Sequence, residues 1–154
     1  KPAPAFVGYW TSRILTEPDS TLGLSVLIPG LTTGAISLMR APGATTVVDV
    51  MDTSGKPFLR SAPQGYWVNV EHPWFKDLGL FVNTEQPEIR QEWGKQWIKA
   101  SASGMLTYQD PRLKSPKVSN KSPRPWKIAL RELGKTDTEH LSGELLWQSV
   151  KNSH

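Results

Sequence analysis

Short apolar runs alternate with turn residues along the first half of the chain. Phe6 to Leu15, Leu22 to Ile28, Ala35 to Arg40 and Thr45 to Met51 are rich in Val, Ile, Leu, Thr and Tyr. They are closed in turn by Glu17-Pro18-Asp19-Ser20, by Pro29-Gly30, by Pro42-Gly43 and by the polar stretch Asp52 to Pro57. Proline cannot donate to a strand ladder, so at these places it marks strand ends. Gly65 to Val70 and Leu78 to Val82 continue the series. Strands joined by short polar turns, with no helix between them, predict an antiparallel meander.

The pattern changes after residue 84. Ile89, Trp93, Trp97 and Ala100 follow one another at intervals of four, four and three. That spacing predicts one face of a helix over 87–100, with Thr84 near its cap and Pro87 in its first turn. Gly94 weakens the helix, and the shared parity of Ile89, Trp93 and Trp97 leaves a strand as the alternative. Met105 to Gln109 is a further strand. Residues 110–125 hold Arg112, Lys114, Lys117, Lys121 and Arg124 among prolines and almost no apolar side chains, which predicts an exposed basic loop. Trp126 to Leu133 and Leu141 to Val150 flank a turn at Gly134 to Asp137 and read as a closing hairpin. The expected fold is mainly β: an antiparallel barrel or sandwich of about eight to ten strands, with one inserted helix and a basic Pro-rich loop.

Composition narrows the chemistry. A chain of 154 residues is one domain of ordinary size, here 1–154 with an extended segment at 1–5. With 0 cysteines, disulfides, cysteine-ligated metals and thiol catalysis are excluded. The net charge of +4 is mild, and outside 110–125 the cations are spread out, so a nucleic-acid partner is not expected. No apolar run is long enough to span a membrane as a helix. The opening Lys1-Pro2-Ala3-Pro4-Ala5 reads as a mature terminus and points to an exported protein, periplasmic, lumenal or secreted.

Two triplets recur at nearly one offset: Gly8-Tyr9-Trp10 as Gly65-Tyr66-Trp67, and Leu22-Gly23-Leu24 as Leu78-Gly79-Leu80. This echo predicts two related strand pairs with equivalent tryptophans. Gly8-Tyr9-Trp10 at the head of the first strand also resembles the G-x-W signature of lipocalins and other calycins. The resemblance implies a β-barrel that Gly8 and Trp10 help to close, and a small apolar or flat ligand in its interior. That family's second motif has only Thr136-Asp137-Thr138 as its echo here, and no arginine follows in the last strand to pack over Trp10.

Seven tryptophans are the most informative side chains. Trp10, Trp126 and Trp147 stand in alternating strand patterns and are assigned to the core. Trp67, Trp74, Phe75, Trp93 and Trp97 are the candidate ligand-binding residues, because clustered rings form a platform for a flat ligand or a sugar. Plain core packing accounts for the same residues. Arg112, Lys114, Lys117, Lys121 and Arg124 are the candidate partner-binding residues, suited to an acidic protein; a solvated loop is the alternative. Asn120-Lys121-Ser122 matches a glycosylation sequon. His72, His140 and His154 lack metal-ligand spacing, Asp49 and Asp52 are separated by strand alternation, and no nucleophile or phosphate-loop motif occurs, so no catalytic residue, metal or cofactor is assigned. The expected function is a non-catalytic binding protein, a lipocalin-like carrier. The alternatives are an accessory subunit docking on an acidic partner and a carbohydrate-binding module.

Overall fold

The structure is a computed structural model that describes residues 6–30 and 33–151. The segment 1–5 and His154 lie outside the described residues. Ten strands run in chain order: β1 (Phe6–Thr16), β2 (Leu24–Leu27), β3 (Ala35–Arg40), β4 (Val48–Met51), β5 (Pro57–Ala62), β6 (Gly65–Asn69), β7 (Trp97–Ser101), β8 (Met105–Gln109), β9 (Arg124–Glu132) and β10 (Glu139–Lys151). All pairings are antiparallel. Seven strands form one sheet in the order β1-β10-β9-β4-β5-β6-β7, and β2-β3-β8 form a second. The two sheets do not close into a barrel.

Strand alternation builds the core between them. On β2 and β8, buried and exposed residues alternate strictly, so Leu24, Val26, Leu106 and Tyr108 face inward. They meet Val48 and Val50 of β4, Leu59 of β5, Val68 of β6 and Leu130 of β9 in one continuous apolar cluster. Trp10, Trp126 and Trp147 belong to or pack against this cluster, as their strand patterns required.

The inserted helix is not there. Among the described residues the only helical pieces are four 3-10 turns, Ser20–Leu22, Phe75–Asp77, Gln91–Trp93 and Pro111–Leu113. Residues 87–100 instead make the turn Gln91–Trp93 and then β7. Gly94 has φ +94°, a conformation that ends any helix and that only glycine adopts without strain. Trp97 pairs with Asn69 across the β6–β7 ladder, and Trp93 reaches the same patch from the turn, so a four-residue spacing arises without a helix. Strand β5 escaped the sequence pattern. It is buried on both faces, which erases the alternation, and it carries a buried Arg60. Leu78 to Val82 forms no strand: Leu78 is fully buried and accepts from Gln109 N–H at 2.9 Å, whereas Phe81 is 95% exposed.

The repeated triplets take different places. Trp10 lies in the main core, but Trp67 lies in a smaller cluster on the other face of the large sheet. What the first triplet does specify is close approach. Trp147 lies across Gly8, where a Cβ would fall 2.7 Å from the indole and also on the Gln148 carbonyl. Trp126 likewise covers Gly143, its cross-strand partner. Replacing Gly143 by alanine therefore forces the Arg13 backbone and the Trp126 ring apart. The expected cost is about 1–3 kcal/mol, seen as a lower urea midpoint at unchanged slope. Gly104→Ala, where nothing stands within 4 Å, leaves the midpoint in place.

Candidate functional site

The basic loop begins at a buried ion pair. Asp110 follows β8 and is completely enclosed. Its carboxylate accepts from the Tyr108 hydroxyl at 2.8 Å, from the Arg112 backbone N–H at 2.9 Å, and from Arg112 Nε and Nη2 at 2.9 Å each. Arg112 Nη1 donates to the Met51 carbonyl at 2.9 Å, which ties the loop to the end of β4. The local sequence favours this: Asp110 caps the 3-10 turn that Pro111 opens. The Arg112 guanidinium also lies 5.0 Å from the Trp74 ring centroid and 5.7 Å from that of Phe58. Burial, and then the adjacent Asp110 charge, push the Tyr108 hydroxyl well above its ordinary pKa, so it stays a donor.

A second polar pair supports Trp74 from behind. His72 Nε2 is 2.7 Å from Asp52 Oδ2, and His72 Nδ1 accepts the Trp74 backbone N–H at 2.9 Å. That second contact assigns the ring proton to Nε2. The other Asp52 oxygen accepts from Ser54 N–H, the Ser54 hydroxyl and Lys56 N–H at 2.7–2.9 Å. Burial raises the Asp52 pKa, but the bonds from Lys56, Ser54 and His72 outweigh it and hold the group at about 2.

Beyond Arg112 the chain encloses a cleft of about 470 Å³. Arg112, Lys114, Asn120, Ser122 and Arg124 supply its polar lining, and Pro116, Pro123, Pro125 and Leu145 its apolar lining. Asn120 Oδ1 accepts from Ser122 N–H and Oγ at 2.9 and 2.7 Å, which folds the loop back on itself. Arg124 Nε is buried and meets no acceptor among the described residues. Of the five basic residues singled out in the sequence, Arg112, Lys114 and Arg124 thus share one cleft. Lys121 turns away and places its ammonium 4.1 Å from the Trp147 ring centroid and 5.7 Å from that of Trp10. Lys117 is exposed and outside the cleft lining.

The aromatic candidates divide into two groups. Trp74 and Phe75 are half-buried against the main core. Trp67, Trp93 and Trp97 come together on the opposite face of the large sheet. There Asp49, Arg60, Trp67 and Lys99 stand opposite one another across β4, β5, β6 and β7, a single row that alternation keeps on one face. Sequence reasoning missed Tyr108, Asp110, Arg60 and the His72–Asp52 pair. The Asp-Pro-Arg after β8 was the one local signal for the first of these sites, since a capping aspartate before proline fixes a turn that brings Arg112 back onto it.

Among the described residues, no group of three His, Asp or Glu side chains is placed to hold a metal ion, and no helix is long and apolar enough to cross a membrane. Comparison with protein-family models, curated proteins and solved structures finds no match to this chain.

Two expectations follow from the buried polar groups. Asp110→Ala leaves Arg112 without its counter-ion and is expected to cost about 3–5 kcal/mol, read in urea or thermal unfolding. Asp52 has a folded pKa below its ordinary 3.8, so its contribution to stability is complete above that value and disappears as the pH falls towards 2. The difference in urea midpoint between the wild type and Asp52→Asn should be constant between about pH 5 and 7 and shrink steadily in acid. A pH-independent difference rules this account out.

Proposed function

We propose that this is a non-catalytic binding protein whose basic cleft receives an acidic segment of a protein partner, making it an accessory subunit of a larger assembly. The observation that carries this reading is the convergence of Arg112, Lys114 and Arg124 on one cleft, with a buried Arg124 Nε–H still free to donate. From Pro111 to Arg131 the chain carries seven basic residues and no acidic one; Asp110 offsets Arg112, and Lys114 and Arg124 meet no carboxylate among the described residues, so the cleft keeps a positive charge. Arg112 commits three of its five side-chain N–H groups to Asp110 and Met51, and two remain for a carboxylate. Its position is fixed beforehand, which lowers the ordering cost of binding. Proline and Leu145 surfaces beside the cations suit a segment in which acidic and apolar residues alternate. The charge also steers such a partner from a distance. Location outside the cytoplasm belongs to the same proposal.

A lipocalin-like carrier is the second reading. One observation favours it: the resemblance asks for a cation over Trp10, and Lys121 supplies one from the loop instead of the last strand.

The first reading is tested with a fluorescent peptide alternating glutamate with leucine and proline, followed by anisotropy. The wild type should bind it with an affinity that falls as salt rises. Lys114→Glu should weaken binding about tenfold, Arg124→Glu more, and Lys117→Glu little. Lys114 is exposed, so its reversal leaves the fold intact. Binding that survives both cleft reversals unchanged overturns the reading.

A further inference from the structure

On the outer face of the large sheet, Trp67 is only 3% exposed, and its indole Nε1–H meets no acceptor among the described residues. A buried donor without a partner costs about as much as a lost hydrogen bond, so such groups are rare in folded proteins. The surroundings of this one are aromatic and cationic. Trp93 meets Trp67 edge-on, with ring centroids 5.1 Å apart and an interplanar angle of 89°. The Arg60 guanidinium lies 4.2 Å from the Trp97 centroid and 4.9 Å from that of Trp93. Arg90 lies 4.1 Å from the Trp93 centroid and 5.7 Å from that of Trp67.

The two arginines are held in different ways. Arg60 and its partner Asp49 are both buried and joined by two bonds of 2.6 and 3.1 Å, so this cation is a fixed part of the floor. Arg90 is a cover. Its side chain is 34% exposed, and its partner Glu92, at 2.6 Å, is 57% exposed. An exposed pair of this kind contributes little to stability. The stretch that carries it is joined to β7 by the Ile89–Ile98 bridge and by the Lys99 N–H to the Glu88 carbonyl at 2.9 Å. A ligand with a flat ring and a carboxylate can lift Arg90 from the Trp93 face and replace Glu92 as its partner. The ring takes over the stacking on Trp93, the carboxylate takes the place of Glu92 on Arg90, and a carboxylate oxygen gives Trp67 Nε1–H its acceptor.

We propose that Trp67, Trp93, Trp97, Arg60 and Arg90 form a binding site for a planar aromatic carboxylate, entered by parting Arg90 from Glu92 and from the Trp93 face. The site shares no residue with the basic cleft and does not rest on the partner reading. A neutral aromatic would stack but give Trp67 Nε1–H and Arg90 no carboxylate. An aliphatic acid would pair but leave the Trp93 face bare.

The test is the indole N–H spectrum of the protein labelled with nitrogen-15, with the Trp67 signal assigned by its loss in Trp67→Phe. Titration with 2-naphthoate should move the Trp67 N–H signal downfield to saturation. The neutral 2-naphthalenemethanol and the non-aromatic cyclohexanecarboxylate should bind at least about tenfold more weakly. Arg90→Gln, a change at the exposed rim, should weaken 2-naphthoate by about tenfold. A Trp67 signal that stays in place at millimolar 2-naphthoate overturns the proposal, as does equal binding of the alcohol and the acid.

Discussion

A carboxylate removed from water must be matched at every oxygen, or the fold does not form. Asp110 has no exposure at all, and it is matched by one hydroxyl, one backbone N–H and two guanidinium bonds. Much of the rest follows from this requirement. The pair forces the chain to turn back immediately after β8, so a segment with almost no apolar side chains starts from a fixed point. Arg112 then reaches the Met51 carbonyl and stacks on Trp74, which joins the second sheet to the β4–β5 end of the first. At the far side of the loop Lys121 rests on Trp147, and Arg124 enters β9. Anchored at these points, the loop lines the cleft between Arg112 and Arg124.

The outer face of the large sheet is organised on the same principle with different residues. Arg60 stands buried in β5, where it matches the buried Asp49 carboxylate and lies against the rings of Trp93 and Trp97. A sheet with one face on the core ordinarily leaves the other face to water. Here the stretch before β7 folds across part of that face and creates a second, smaller core around Trp67. Arg112 thus ties the loop to the Met51 carbonyl, and Arg60 ties Asp49 to the rings of Trp93 and Trp97. They also place positive charge beside rings or prolines, the combination that recognises carboxylates carrying apolar groups.

The sequence by itself determined that the chain is mainly antiparallel β, although not that it lacks the helix read into 87–100. Alternation on β1, β2, β8 and β9, and prolines at the strand ends, record a requirement that each residue meets locally, because a strand with one buried face must alternate. The same logic marked Trp10, Trp126 and Trp147 as core. Gly8 and Gly143 carry a weaker trace, since an absent side chain shows only that something comes close, not what. Only the tertiary structure decided the rest. Strand β5 is covered on both faces and so has no alternation to read, and the spacing of Trp93 and Trp97 fits a helix until Gly94 is seen to break it. The partners Asp49–Arg60 and Asp52–His72 are 11 and 20 residues apart, and Arg112 reaches Met51 across 61. No local pattern encodes which distant carboxylate a cation will meet, because that choice is made by sheet register and by exclusion of water, and both exist only once the chain has folded.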